Sequence, residues 1–159
     1  MAYLEEIPEY KSDLLHAFVD NKNIVTYIGN KSKNIYDSSD LVGINIFPHP
    51  YIPDTQTEVL TYITLDIYVP RVRDKIIKDV QIVINIFSHK DMSRYKGKSR
   101  VDLLCIEVDK ILNGSQDFGI DSVDLVSVLP YTPNSKHAGK QMIYNVQNLN
   151  QRRCAYREH

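Results

Sequence analysis

Two stretches of this chain alternate apolar and polar residues strictly enough to constrain everything around them. Over Thr57–Val69, Val59, Ile63, Leu65, Ile67 and Val69 share one face, and Tyr62, Thr64, Asp66 and Tyr68 share the other. Over Val80–His89, Val80, Ile82, Ile84 and Ile86 oppose Gln81, Asn85 and His89. A period of two, built from β-branched and aromatic residues, predicts half-buried antiparallel strands. The basic segment between them, Pro70–Lys78 with Arg71, Arg73, Lys75 and Lys78, is too long for a two-residue turn and predicts a protruding arm.

The period then changes. Val101, Leu104, Cys105, Val108, Ile111 and Leu112 make one apolar stripe at helical spacing, so Ser99–Asn113 predicts an amphipathic helix. Ser99 is its N-cap, Asp102 occupies the place of a capping carboxylate, and Asn113-Gly114 is its stop. A second basic run, Lys90–Arg100 with Arg94, Lys96 and Lys98, joins the second strand to this helix. Upstream, Pro8-Glu9 opens a helix running to Asn21, and a shorter one spans Ile24–Ile28 and ends at Gly29. Residues 31–43 are polar and predict a loop with one helical turn. Downstream, Ser122–Leu129 and Gln141–Leu149 predict two further strands around a polar turn, Thr132–Lys140.

Pro48, Pro50 and Pro53 interrupt an otherwise apolar piece containing Ile46, Phe47, Tyr51 and Ile52. Proline fixes φ and removes a donor, so this piece is extended, is no internal strand, and packs either on its own domain or on a neighbour. The expected architecture is α+β: a four-stranded, mainly antiparallel sheet with a long β-ribbon, packed by one long helix and the N-terminal helices. It forms a single domain over 1–159, with helices in 1–43, a sheet-plus-helix body in 44–150 and a flexible tail in 151–159.

A net charge of −1 argues against a general nucleic-acid binder, which needs a basic surplus to displace counterions from phosphate. No apolar run approaches the ~18 residues of a membrane span, and the amino terminus lacks the basic and apolar regions of a signal peptide. Cys105 on the apolar stripe and Cys154 in the polar tail suggest reduced thiols rather than a disulfide. The chain has 11 tyrosines, a residue that suits interfaces because its ring is buried while its hydroxyl stays satisfied.

Nothing in the chain has the spacing of an active site. His16, His49, His89, His137 and His159 form no metal-binding pair. Ser88, His89 and Asp91 adjoin in sequence, but neighbours on a strand point to opposite faces, so they make no nucleophile–base pair. Asp66, Glu107 and Asp109 lack the strand-borne E-x-K or D-x-K of metal-dependent nucleases. The six glycines are scattered singly, without a phosphate loop. No catalytic residue, cofactor or metal site is therefore expected, and the chain is expected not to be an enzyme.

The order helix, proline-rich segment, long strand, basic arm, long strand, helix and two closing strands resembles the tail-terminator and head–tail connector (neck) proteins of long-tailed bacteriophages, of the Gram-positive phage or prophage kind. The residues that carry the resemblance lie within Ile44 to Asn150: Asn45-Ile-Phe-Pro-His-Pro-Tyr-Ile-Pro-Asp-Thr-Gln-Thr-Glu, Thr61-Tyr-Ile-Thr-Leu-Asp-Ile-Tyr, Val83-Ile-Asn-Ile-Phe-Ser-His-Lys and Arg100-Val-Asp-Leu-Leu-Cys-Ile-Glu-Val-Asp-Lys-Ile-Leu-Asn-Gly. It implies a virion protein, assembled in the host bacterial cytoplasm, that closes into a homo-oligomeric ring, a hexamer. The ring would end the tail tube or join it to the head connector, with the tail tube protein and the connector or stopper protein as partners. DNA would pass through its channel without specific binding, and no membrane is involved. The residues expected at subunit or partner interfaces are Phe47, Tyr51, Ile52, Arg71, Arg73, Lys75, Arg94 and Lys96. The alternatives are an adaptor module or a subunit of a phage-tail-like contractile apparatus, and, behind both, a metal-dependent nuclease.

Overall fold

Asn21 decides how the chain starts. The computed structural model describes residues 4–30, 37–54, 59–118 and 122–150. Helix α1 (Glu6–Asp20) ends where Asn21 turns to extended backbone, and the Asn21 side chain accepts hydrogen bonds from the Asn23 and Ile24 amides to start α2 (Lys22–Ile28). Gly29, at φ 63°, closes α2 in the left-handed region. A single 3-10 turn follows at Ser38–Leu41, capped by Asp37, as the polar stretch suggests; residues 31–36 lie outside the described residues.

The strands are β1 (Ile46–Phe47), β2 (Thr61–Arg73), β3 (Ile77–His89), β4 (Arg94–Tyr95), β5 (Lys98–Ser99), β6 (Asp124–Asn134) and β7 (His137–Leu149); α3 (Arg100–Leu112) lies between β5 and β6. The α+β expectation holds, but the sheet is mixed and five-stranded, in the order β1-β2-β3-β7-β6, with a separate two-stranded hairpin β4–β5. The extra member is β1, which pairs parallel to β2 through Ile46↔Ile63 and Phe47↔Thr64 and stays on the sheet edge, where the neighbouring prolines are tolerated. Nor is the packing built on one long helix: α1 has 15 residues and α3 has 13.

The basic arm does not exist as a loop. β2 and β3 run on to Arg73 and Ile77, leaving only Asp74-Lys75-Ile76 to turn the chain. Asp74 and Lys75 make this possible with φ of 52° and 62°, and a register shift between Tyr68 and Arg71 absorbs Pro70. Arg73 accordingly lies on the ladder, its guanidinium 3.0 Å from Asp79. Pro130 and Pro133 likewise fall inside β6 rather than bounding a loop, because β6 is an edge strand. The chain turns only at Ser135-Lys136.

The second basic run forms a 3-10 turn at Lys90–Met92 and then the β4–β5 hairpin, whose two-residue turn holds Lys96 at φ 49° and Gly97 at φ 83°. A left-handed lysine costs about 1–2 kcal/mol where glycine or asparagine would be at ease. Ser99 caps α3 as expected, accepting from the Asp102 amide, but the Asp102 carboxylate pairs with Lys140 of β7 instead of closing a capping box.

Helices α1, α2 and α3 contribute to one core with a single face of the sheet. Leu14, Phe18, Ile24, Leu104, Val108 and Leu112 meet Ile63, Leu65, Ile82, Ile84, Met142 and Tyr144 there. Cys105 borders this core half-buried, and burial pushes its thiol up to about 11, so it stays protonated at neutral pH.

Candidate functional site

The proline-stiffened segment folds back over the other face of the sheet at one end. Phe47 stacks on Tyr51 with ring centroids 4.1 Å apart, and a small cluster of Phe47, Tyr62 and Phe87 is buried beneath. Asn45 fixes the approach: its side chain donates to the Thr61 carbonyl, and its own carbonyl accepts from the Ile63 amide, both at 2.7 Å. Asn134, at the end of β6, donates to the Pro53 carbonyl at 2.7 Å and closes the segment down. Asn85 and His89, on the polar face of an amphipathic strand in the alternation, are buried.

His89 and His137 are cross-strand partners in this corner, with ring centroids 5.2 Å apart. His137 is fully buried, and its Nδ1 lies 2.9 Å from Asn134 Oδ1. That oxygen also accepts from the Lys136 and His137 amides, so Nδ1 carries the proton and donates. Nε2 is buried with no partner among the described residues. Burial, and then the neighbouring His89, holds His137 below the ordinary imidazole value. A base whose folded pKa is depressed binds its proton more readily when unfolded, so its contribution is complete above pH 6.5 and is lost as pH falls below that value. Urea titrations at pH 7.5 and pH 5.5 should show stability falling on the acid side, and His137→Gln should make that fall smaller; an equal loss in that variant refutes the assignment.

The expected interface residues do not come together. Phe47 and Tyr51 are packed into the aromatic corner, while Ile52 stands out from it, 65% exposed. Arg71, Arg73 and Lys75 lie at the far tip of the β2–β3 ribbon, about 25–35 Å away along the seven to eleven strand residues that separate Tyr62 and Thr64 from Arg71 and Arg73. Arg94 and Lys96 belong to the β4–β5 hairpin.

A different surface has the properties of an interface. β6 is an edge strand of 11 residues, and Leu125, Val126, Val128 and Leu129 on it are 36–59% exposed. From Leu125 to Pro133 there is no charged side chain, although solvent-facing edges are ordinarily blunted by charge. The opposite edge shows that protection. There β1 pairs only with Ile63 and Thr64, and just beyond it on β2 the Asp66 carboxylate accepts from its neighbour's amide, Ile67, at 2.8 Å and from Lys11 of α1 at 2.9 Å. Burial pulls the Asp66 carboxyl upward, but the bonds from Lys11, Ile67 and Tyr68 outweigh it and hold the group below its ordinary value. The sequence marks Ser122–Leu129 as a strand; its place at the edge follows only from the strand order.

Of the acidic residues weighed for metal chemistry, Asp66 is engaged by Lys11 and Glu107 by Lys110. Among the described residues no group of three or more His, Cys, Asp or Glu side chains could hold a metal ion. No described helix is long and apolar enough to cross a membrane.

A family model described as YomW matches residues 21–146, from the start of α2 into β7. The chain belongs to the YomW family. That family is phage-derived, of a Bacillus prophage-like kind, which makes this YomW-family chain a phage-related protein without assigning it a place in the tail. No curated protein and no solved structure matches it. The matched span takes in β6 and both sheet edges but starts after α1.

Proposed function

We propose that this chain is a virion structural subunit that assembles into a ring at the head–tail neck of a phage, ending the tail tube or joining it to the head connector around the DNA channel. The observation that carries the reading is β6, an exposed edge strand that is apolar and uncharged from Leu125 to Pro133, in a chain of phage-derived family. Such an edge is a liability for a free monomer and is ordinary where a neighbour covers it. The two sides of the sheet are unlike, one apolar and one guarded by Asp66 and Lys11. Contacts between unlike surfaces that repeat by rotation close into rings. The ribbon tip, with Ile76 and Lys75 exposed, then points to one end of the ring, where an adjoining ring or the tube would meet it.

Light scattering across protein concentration and magnesium, followed by negative-stain imaging, tests the reading, first alone and then on purified tail tubes. Rings with a central hole are the expected result. Val126→Lys with Leu129→Lys should abolish them while changing subunit stability by no more than about 0.5 kcal/mol per site, because both side chains are already in solvent. Arg71→Glu with Lys75→Glu should leave the rings intact but prevent their stacking on the tube. A chain that stays monomeric with tubes present overturns the proposal.

A further inference from the structure

A cleft of about 500 Å³ lies away from β6 and the aromatic corner, between α2, the β4–β5 hairpin and α3. It is lined by Asn23, Thr26 and Tyr27 of α2, by Tyr95, Lys96 and Lys98 of the hairpin, and by Leu103 of α3. Its size falls within the range of small-molecule sites. The walls are tied together from behind by Arg100, which is buried. Its Nε donates to the Met92 carbonyl at 3.0 Å, and its two terminal nitrogens donate to the carbonyls of Tyr27 and Arg94. One guanidinium thus joins the end of α2 to the hairpin and to the first turn of α3, so the cleft is held by fixed elements.

The polar lining is one-sided. Two lysines line the cleft and no acidic residue does. Thr26 has its hydroxyl proton committed to the Lys22 carbonyl at 2.8 Å, whereas the side chains of Asn23, Tyr27, Tyr95 and Lys98 make no hydrogen bond to described residues, leaving donors available. Tyr27 and Tyr95 meet edge to face at 5.3 Å and, with Leu103, form an apolar wall. Lys96 is held in the left-handed region at the hairpin turn, with Nζ 5.4 Å from the Tyr95 ring centroid. A strained lysine kept where glycine would be easier is an observation that points to use of its charge.

We propose that this cleft binds a nucleoside phosphate: the lysines take the phosphate oxyanions, and the tyrosine–leucine wall takes the planar base. Free nucleotide and a nucleotide unit of a single strand share this chemistry. The site is independent of the ring reading, since none of its residues lies on β6 or at the ribbon tip.

Calorimetric titration of the full chain with adenosine monophosphate, adenosine, inorganic phosphate, hexaglutamate and a single-stranded oligodeoxyadenylate decides it. Saturable binding of adenosine monophosphate with Kd below ~1 mM is expected, with adenosine and phosphate alone each about tenfold weaker. Lys98→Gln and Lys96→Gly should each weaken it about fivefold or more, and Lys96→Gly should do so without lowering Tm, because glycine relaxes the turn. Tighter binding per nucleotide by the oligomer identifies the strand as the source, and equal or weaker binding identifies free nucleotide. No saturable binding of either nucleotide probe, unchanged binding when Lys96→Gly and Lys98→Gln are combined, or hexaglutamate matching the nucleotide overturns the proposal.

Discussion

Lys78→Met is expected to lower the unfolding free energy by about 3–5 kcal/mol, the range seen when one partner of a buried ion pair is removed. Lys78 is on β3 near the ribbon tip, yet it is 0% exposed because α1 lies over it and Glu6 supplies a carboxylate directly against its ammonium. Glu6 is itself buried, and its carboxylate also accepts from Asn148 of β7 at 3.0 Å, while the same amide donates to Tyr10 at 2.7 Å. The network therefore fastens the first turn of α1 to two strands of the sheet. Deleting the cation leaves the carboxylate in a dry site with one amide for company, which costs far more than the pair itself contributes. Glu6→Leu combined with Lys78→Met removes both charges and should restore most of the loss. Equilibrium urea unfolding of the two single variants and the double variant measures the cycle. Single-variant losses below about 1 kcal/mol would place the pair in solvent and sink the assignment.

That network also marks where the sequence stops being readable. Lys78 looks like one more residue of a basic run, and nothing within a dozen positions identifies Glu6 as its partner. Periodicity performs well where one side of an element faces one core. β2, β3 and α3 are legible from alternation and stripe, and Asn21, Gly29 and Ser99 mark helix ends by their own chemistry. It fails where the backbone takes a conformation its residues do not advertise. Asp74 and Lys75 adopt positive φ and shorten a nine-residue arm to a tight turn, and Pro130 and Pro133 sit in a strand because that strand lies on the edge. It fails again where tertiary folding buries a face that alternation marks as polar: Phe47 and Tyr51 pack over Tyr62, and Asn85 and His89 are buried.

The candidate surfaces follow the same division. Basic residues and an apolar proline segment attract notice in a sequence, but they fall at opposite ends of the sheet. β6 reads as an ordinary strand until the order β1-β2-β3-β7-β6 leaves one side of it unpaired among the described residues. The tyrosine–lysine cleft needs residues from α2, the hairpin and α3, and only the Arg100 bridge shows that they form one site.

Gly139→Ala is expected to cost more than about 3 kcal/mol, or to prevent folding, although alanine is the smallest possible addition. Gly139 lies in β7, paired with Phe87 of β3 on one side and Tyr131 of β6 on the other. With Tyr62 of β2 opposite Phe87, the four strands present a row of Tyr62, Phe87, Gly139 and Tyr131. The missing side chain lets Phe87 reach Tyr131, with ring centroids 5.6 Å apart, while Tyr62 stacks on its other side at 5.4 Å. An aromatic ring laid over a strand glycine repairs the packing that glycine forfeits. A Cβ there would lie 1.8 Å from the Ile86 carbonyl oxygen and 2.5 Å from the Phe87 Cα, both of them backbone atoms of β3. No side-chain rotation relieves that collision, so β3 and β7 would have to part along their ladder. Gly114→Ala is the natural comparison: its φ is +80° but its surroundings are open, so it should cost only about 1 kcal/mol. Combining Gly139→Ala with Phe87→Ala separates the two possible causes. A clash with the ring would be relieved by the second change, whereas a clash with the backbone leaves the double variant at least as unstable as Gly139→Ala alone, and that is the outcome expected in thermal unfolding.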